Sequence, residues 1–261
     1  MPLSRRRTLL LGAAGVGLAA LPARLLAQAA TPAPAAPAFL MPVEHASLML
    51  SLDGAHLLVD PVGRAARYQG LPPPSAILVT HEHGDHFDPD TLTALAGDSV
   101  ALIVNPAVAD KLPEALKSGA TVLRNGDTGE AAGLRIEAVP AYNTTPDRQK
   151  YHPQGRDNGY VITSREHGRI YVAGDTEDTP EFRAQKDIAA LLVPMNLPYT
   201  MPPEQAAQGV AAMAPKMAIP YHHKGSDPQV FADALGAAGA QTQVVILDWY
   251  PAVDDPTGKD G

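Results

Sequence analysis

The run THEHGDH, Thr80–His86, places three of the chain's nine histidines beside two acids within seven residues. It follows on SAILVT, Ser75–Thr80, a short and mainly apolar run that is typical of a buried strand. In α/β proteins, functional groups commonly lie just past the carboxyl end of such a strand. This run constrains the fold more than any other part of the sequence, because it requires a buried strand that ends at a polar site.

The residue types of the run predict a metal site. His81 and His83 are two positions apart, so an extended backbone points both rings to one side. Gly84 permits a sharp turn, after which Asp85 and His86 face the same point from another direction. Neutral imidazole and carboxylate are natural ligands of borderline divalent cations such as zinc. The run can therefore supply ligands to two adjacent ions, and a solvated histidine-rich loop is the alternative.

Composition limits the kind of site and the kind of partner. The chain of 261 residues contains no cysteine, so thiolate ligands are excluded and a metal site must use His, Asp, Glu, Asn and water. Asp and Glu outnumber Lys and Arg by 28 to 20, and the first 29 residues hold four Arg and no acid. Without those residues the net charge is near −12, and such a surface repels nucleic acid and anionic membranes.

The amino terminus predicts export. A basic start at 5–7 precedes an apolar run and the small-residue site AQA at 27–29, which is the layout of a signal peptide. SRRRTLL is similar to a twin-arginine signal, which exports folded proteins; an ordinary secretory signal or an uncleaved anchor is the alternative. We expect a periplasmic or otherwise exported protein without stable membrane insertion after signal removal. The predicted organisation is an export signal (1–29), a Pro/Ala linker (30–40), one folded domain (41–250) and a polar carboxyl-terminal tail (251–261).

The folded part alternates short strands with single helices. Asp53–Gly54 between two apolar runs is a hairpin signal, and 88–97 predicts a short capped helix. The segment 242–250 is predicted as a last strand. The polar stretch 143–158 lacks periodicity and is long enough to indicate a functional loop. Strands outnumber helices, so the pattern predicts two β-sheets faced by helices in a layered α/β fold.

These motifs resemble those of the metallo-β-lactamase superfamily. THEHGDH has its H-x-H-x-D-H pattern, and VDP (Val59–Pro61), AGDT (Ala173–Thr176) and IPYHH (Ile219–His223) are similar to its other motifs in the family's order. YTMPPEQAA (Tyr199–Ala207) is similar to a segment of the branch of metal-dependent hydrolases related to L-ascorbate-6-phosphate lactonase. The resemblance covers nearly all of the chain after the linker. It implies an αββα four-layer sandwich of two similar halves, with metals at one edge between the sheets.

The resemblance also implies a chemistry and a set of ligands. A hydroxide held by the metals would attack a carbonyl or phosphorus, and Asp85 would orient this nucleophile or shuttle a proton. One or two divalent ions are expected, zinc first, with manganese or iron as alternatives. The implied ligands are His81 and His83 for the first ion, Asp85, His86 and His222 for the second, and Asp175 as the bridge between them.

The sequence departs from the family at one ligand. The first metal usually has a third His, and Asn143 stands at the corresponding position. Either Asn143 coordinates weakly, or His152 supplies the ligand, or only one metal is held firmly. We favour Asn143 lining the site with His152 as metal ligand or substrate contact. Asp60 is interpreted as the partner of a metal-bound histidine rather than a ligand. The neighbours His222 and His223 point to opposite faces of a strand, and the resemblance selects His222.

The remaining histidines and the loop cations receive plainer interpretations. His45 and His56 are interpreted as structural residues, and His167 as a solvated turn residue. Three cations make the 143–158 loop locally basic, which suits an anionic substrate, although a solvated polar loop is the alternative. These cations are Arg148, Lys150 and Arg156.

The first functional hypothesis is therefore a metal-dependent hydrolase in the 41–250 domain. Its expected substrate is a small ester-type molecule, namely a phosphodiester, a lactone or a carboxyl ester. The alternative is a non-catalytic metal- or ligand-binding periplasmic protein on the same fold, which Asn143 motivates. The sequence makes no prediction of the oligomeric state.

Overall fold

A computed structural model describes residues 35–97 and 99–250 of the protein. Among these residues, no helix is long and apolar enough to cross a membrane. The first strand begins at Leu40, where the predicted linker ends. Three predicted segments lie outside the described residues: the export signal (1–29), the start of the linker (30–34) and the tail (251–261).

The first sheet has six strands in chain order: β1 (Leu40–Glu44), β2 (Ser47–Leu52), β3 (Ala55–Val59), β4 (Ala76–Leu78), β5 (Ala101–Val104) and β6 (Ala120–Val122). Strands β1 to β3 form an antiparallel meander, and β3 to β6 run parallel. The predicted hairpin at Asp53–Gly54 joins β2 to β3, with both residues at positive φ.

The second sheet has seven strands: β7 (Thr128–Ala131), β8 (Leu134–Ala141), β9 (Asp157–Ser164), β10 (Gly168–Val172), β11 (Ile188–Pro194), β12 (Met217–Tyr221) and β13 (Gln243–Val244). Strands β7 to β10 are antiparallel, and β10 to β13 run parallel. Each sheet thus repeats one plan, an antiparallel meander that continues into parallel strands.

In the part of the chain that the structure describes, six helices connect these strands: α1 (Pro89–Leu95), α2 (Pro106–Lys111), α3 (Glu114–Lys117), α4 (Pro180–Ala184), α5 (Pro203–Met213) and α6 (Pro228–Ala237). All except α3 begin with a proline, whose fixed φ suits the first helical position. Asp88 caps α1 as the sequence predicts, accepting hydrogen bonds from the amides of Asp90 and Thr91.

Alternate side chains of the central strands enter two different cores. In β2, Leu50 packs against the second sheet, whereas Met49 packs outward with residues of α1 and α2. In β11, Leu192 joins the core between the sheets, whereas Leu191 packs outward with residues of α4, α5 and α6. Helices therefore cover the outer face of each sheet, and the predicted αββα four-layer sandwich is confirmed.

Some short elements differ from the sequence prediction. The strand predicted over 242–250 was too long, because pairing to β12 ends at Val244 and the chain then crosses the end of the inter-sheet core, where Val245 and Trp249 are buried. Periodicity did not predict β1, β7, α4 or a 3-10 turn at Ala65–Tyr68, since four or five residues are too few to show a period.

Strand direction brings the predicted site residues to one edge of the sandwich. Several hydrogen bonds tie the sheets together there. Among them, the Tyr160 hydroxyl donates to the Val79 carbonyl at 2.9 Å, and the Asn158 amide donates to the Thr80 carbonyl at 3.1 Å. The residues that follow the carboxyl ends of parallel strands at this edge are Asp60 after β3, His81 after β4, Asp175 after β10 and His222 after β12.

Removing the Tyr160 hydroxyl should lower stability, because it leaves the buried Val79 carbonyl without its partner. We expect Tyr160→Phe to cost about 1–3 kcal/mol in the free energy of unfolding. Tyr171→Phe is the matched control, because the equally buried Tyr171 hydroxyl has no hydrogen-bond partner among the described residues. That variant should stay within about 0.5 kcal/mol of the parent. Equal losses in urea unfolding of the two variants would contradict this account.

Candidate metal centre

Three histidines from two loops form a first cluster. His81 Nε2 lies 3.1 Å from His83 Nδ1. The ring of His152 lies 4.9 Å from that of His81 and 4.8 Å from that of His83, measured between centroids. One nitrogen of each ring lies within 4.8 Å of the other two. The third imidazole thus comes from the long polar loop that the sequence indicates as functional.

A second cluster contains one carboxylate and two histidines. His222 Nε2 lies 3.3 Å from Asp85 Oδ2, and His86 Nε2 lies 3.9 Å from the same oxygen. His86 and His222 are buried, whereas the Asp85 side chain is 49% exposed. The neighbouring His223 is not among the groups of described side chains that are placed to hold an ion.

Asp175 stands between the two clusters. Its Oδ2 lies 3.3 Å from His152 Nε2 and 3.4 Å from His222 Nε2, and its Oδ1 lies 3.4 Å from His86 Nε2. The carboxylate is almost fully buried. One buried acid therefore faces imidazoles of both clusters, which is the position that a bridging ligand requires.

Two glycines allow Asp175 to reach this position. Gly174 has φ +67°, and a Cβ there would lie 2.8 Å from the Asn158 carbonyl oxygen. A Cβ at Gly159 would lie 2.4 Å from the Ala173 carbonyl oxygen. Both distances are too short for any side chain, so the chain can turn tightly after β10 only with glycine at these two positions.

Asp60 lies behind His86. One carboxylate oxygen is 2.8 Å from His86 Nδ1 and accepts a hydrogen bond of 2.7 Å from the Thr80 hydroxyl, while the other accepts one of 2.7 Å from the Thr80 amide. All three side chains are fully buried. Asp60 therefore fixes the orientation of the His86 ring, and the opposite nitrogen, Nε2, faces the cluster.

A similar contact orients His152. Its Nδ1 lies 2.9 Å from Asp157 Oδ2, at the start of β9. Arg156 donates two hydrogen bonds to the Asp157 carboxylate, at 2.7 and 2.9 Å, and one to the Tyr151 carbonyl at 2.6 Å. The guanidinium thus balances the charge of Asp157, and Nε2 of His152 is left to face Asp175.

Asn143 uses its amide group inside the loop. Its Nδ2 donates to the carbonyls of Tyr199 and Arg148, at 2.6 and 3.0 Å, and its backbone amide donates to the carbonyl of His152 at 2.9 Å. The side chain is 1% exposed. Asn143 therefore braces the loop through Nδ2, while its Oδ1 makes no hydrogen bond within the described residues, and the imidazole that joins His81 and His83 is that of His152.

The loop cations are mostly neutralised. Arg148 pairs with the fully buried Glu177 at 2.8 Å, and Glu177 also accepts hydrogen bonds from Thr144 and Thr145. Arg156 is committed to Asp157. Lys150 is exposed and lies over the ring of Tyr151. The predicted basic patch is therefore reduced to one cation, because two of its three charges anchor the loop.

The imidazole nitrogens and carboxylate oxygens of the two clusters are arranged to bind a cation rather than to bond to one another. His86 Nε2 and Asp175 Oδ1 are 3.4 Å apart, yet neither makes a hydrogen bond within the described residues, and the same holds for His152 Nε2. Buried polar atoms rarely lack partners in a folded protein. Imidazole nitrogens and carboxylate oxygens that converge without bonding to one another are the arrangement expected of metal ligands.

The buried acids around the clusters also favour a bound positive charge. Burial alone would raise the pKa of Asp175, but the rings of His222, His86 and His152 hold it well below its usual range. Burial alone would lower the pKa of His86, but Asp175 and Asp60 raise it to about 10. A proton on His86 can balance these acids, and a divalent cation would do so while leaving the ring neutral.

His45 joins the cluster although the sequence indicates only a structural role. Its Nε2 lies 3.4 Å from Asp85 Oδ2, and its ring lies 3.9 Å from that of His222. It follows β1, which the sequence analysis did not predict, and β1 is parallel to β3. Recognising β1 as a strand would have placed His45 at the same edge as Asp60.

A cleft of about 940 Å³ opens onto both clusters. Asp85, His83, His152 and Asp175 contribute to its lining. The rest of its wall includes four aromatic side chains, two cations and two acids. These are Phe87, Tyr151, Tyr199, Tyr250, Arg67, Lys224, Glu44 and Asp88.

Comparison with known families agrees with this architecture. The family model described as "Beta-lactamase superfamily domain" matches residues 40–222. A metal-dependent hydrolase of Thermoplasma acidophilum is 32% identical, over 81% of this chain and 95% of that protein. A metal-dependent hydrolase of Methylobacterium nodulans is 31% identical, over 81% of this chain and 97% of that protein.

A solved structure gives the same result. The crystal structure of a metal-dependent hydrolase from Parabacteroides distasonis matches with a TM-score of 0.73 and 41% identity, over 81% of this chain and 93% of that one. Such identity over most of both chains extends beyond a shared fold. The chain belongs to the metallo-β-lactamase superfamily and is a metal-dependent hydrolase of that family.

Proposed function

We propose that the protein hydrolyses a small ester-type substrate at a centre of two divalent cations. The observation that carries this proposal is the position of Asp175, which faces imidazoles of both clusters beside an open cleft. The proposed ligands are His81, His83 and His152 for one cation, Asp85, His86 and His222 for the other, and Asp175 for both.

Nitrogen and oxygen donors without sulfur suit zinc, and manganese or iron are the alternatives. Two cations bound there would acidify a water molecule and polarise the substrate oxygen. Asp85 is the exposed carboxylate of the set and lines the cleft, so it can accept a hydrogen bond from the attacking water and orient it. Asp60 and Asp157 keep the rings of His86 and His152 in place during this reaction.

The cleft favours an ester that carries both an apolar group and a negative charge. Tyr151 and Tyr199 pack edge to face at 5.0 Å, and Tyr199 remains 45% exposed, so this pair offers an aromatic surface to a substrate. Arg67 pairs with Glu44, whereas Lys224 is exposed at the same cleft and can meet an anion. Phosphodiesters meet this description, and lactones of the kind the sequence resemblance indicates and carboxyl esters meet it when they also carry an acidic group.

The alternative of a non-catalytic binding protein loses its motivation. It depended on Asn143 standing where a third histidine is usual. In the structure His152 lies with His81 and His83, so the first cluster holds three imidazoles. No other feature of the described residues favours a protein without turnover.

We also propose that the protein is exported folded and acts in the periplasm. The sequence of the first 29 residues supports this, because it has the layout of a signal and resembles the twin-arginine type. Export after folding suits a metalloprotein, since binding in the cytoplasm fixes which metal is loaded. The expected outcome of fractionation is a periplasmic chain that has lost about thirty residues, and a full-length cytoplasmic chain would refute the proposal.

Zinc-loaded protein should hydrolyse at least one ester in a panel of bis(p-nitrophenyl) phosphate, homoserine lactones and p-nitrophenyl carboxylates. His152→Ala should lose more than about 100-fold in kcat/KM together with about one bound ion, because partners behind a ligand already cost 10- to 100-fold. His167→Ala is the control, since this histidine lies in the β9–β10 turn. A wild-type protein that hydrolyses no ester, or that binds less than about half an equivalent of metal, would refute the proposed function.

Asn143→Asp separates the two roles that this residue could have. Aspartate keeps the oxygen and adds charge, so a ligand at this position would bind zinc more tightly. If Asn143 instead holds the loop in place, we expect the opposite, because aspartate cannot donate hydrogen bonds to the Tyr199 and Arg148 carbonyls. We expect a loss of about 1–3 kcal/mol in stability and weaker zinc binding. Tighter zinc binding, measured by competition with a chromogenic chelator, would contradict the brace.

A further inference from the structure

We propose that His45 is a positioning residue that donates its Nε2 proton to Asp85, and that the hydroxyl of Tyr250 fixes this tautomer. The inference rests on the proposed function only in that Asp85 serves the hydrolytic centre. Three side chains lie in a row in the order Tyr250, His45 and Asp85. This order determines which atom carries each proton.

The backbone holds His45 firmly in place. Its amide donates to the Trp249 carbonyl at 3.1 Å, and its carbonyl accepts from the His222 amide at 3.1 Å. His45 and His222 both have left-handed φ angles, +49° and +46°. Strained backbone of this kind is tolerated only where surrounding contacts over-determine it. The two ring centroids lie 3.9 Å apart with the planes tilted by 35°, and this contact limits how far the His45 ring can turn.

The Tyr250 hydroxyl is placed to donate to His45. The hydroxyl oxygen lies 2.8 Å from His45 Nδ1 and accepts a hydrogen bond of 3.0 Å from the His223 amide. Burial raises the pKa of Tyr250 to about 12, against the opposing effect of the amides of His223 and Lys224, so the phenol keeps its proton. The His223 amide occupies one lone pair of this oxygen, and among the described residues His45 Nδ1 is the acceptor that the hydroxyl proton reaches.

The other ring nitrogen must then carry the proton of the imidazole. With Nδ1 accepting from Tyr250, the neutral ring is protonated at Nε2. That nitrogen lies 3.4 Å from Asp85 Oδ2. The Asp85 side chain is 49% exposed and lines the cleft, and the same Oδ2 lies 3.3 Å from His222 Nε2, so His45 supports this oxygen from a second side. His45 therefore fixes one Asp85 oxygen and leaves the other free for the attacking water.

A role as a metal ligand is the competing assignment for His45. One atom each of His45, Asp85 and His222 lie within 4.8 Å of one another, so these three residues alone could hold an ion. Coordination through Nε2 would require that nitrogen to be unprotonated. The two assignments therefore differ in one observable, which is the proton on Nε2.

The tautomer can be read by two-bond ¹H–¹⁵N correlation spectroscopy of zinc-loaded, full-length protein with ¹⁵N-labelled histidine. We expect His45, assigned by the signal that disappears in His45→Gln, to be protonated at Nε2 and unprotonated at Nδ1. Tyr250→Phe should abolish this preference and give a mixture of tautomers. Protonation at Nδ1 in the wild type, or an unchanged spectrum in Tyr250→Phe, would overturn the proposal.

Kinetics and metal content provide a second test of the positioning role of His45. His45→Ala should lower kcat about 10- to 100-fold with KM within about twofold and no change in bound zinc, as expected for a partner of a functional carboxylate. His45→Gln keeps an N–H donor and should recover part of kcat, whereas His56→Gln in β3 should behave as wild type. Loss of one zinc in His45→Ala would make His45 a ligand and refute the positioning role. Failure of the wild type on every ester would refute the proposed function alone, because the tautomer is measured without turnover.

Discussion

The buried carboxylate of Asp175 is the contact on which the rest of the site depends. It faces imidazoles of both clusters at 3.3–3.4 Å, and the surrounding rings hold its pKa well below the usual range despite burial. A buried anion is costly unless positive charge balances it. The ring of His86, held by Asp60, and the proposed cations provide that balance. Asp175 thereby makes the two clusters one centre.

The arrangement of the two sheets makes this contact possible. The first sheet contributes Asp60 and His81 from strand ends, and the second contributes Asp175 and His222, so the centre spans the edge that the two sheets share. Hydrogen bonds from Tyr160 and Asn158 fasten the strand that leads into the histidine run. The loop that carries His152 is anchored separately, by the buried Glu177. Residues just after strand ends thus supply six of the seven proposed ligands, and the braced loop supplies the seventh, His152.

The sequence predicts the features that depend on residues close together along the chain. The spacing of His81, His83, Asp85 and His86 predicts a metal site, and alternating apolar runs predict the layered fold, because both depend on neighbours along the chain. It was insufficient where the answer depends on distant backbone. Asn143 braces the loop through carbonyls of residues 148 and 199, and His45 reaches the site from a strand of five residues. No periodic pattern in the sequence indicates either contact.

The central claim is that two cations share Asp175. Anomalous X-ray diffraction at the zinc edge, on crystals of the zinc-loaded protein, tests it most directly. We expect two peaks roughly 3.5–4 Å apart, the usual spacing in two-metal sites, one beside His81, His83 and His152 and the other beside Asp85, His86 and His222, with Asp175 in contact with both. A single peak, or two peaks that do not share Asp175, would contradict the account.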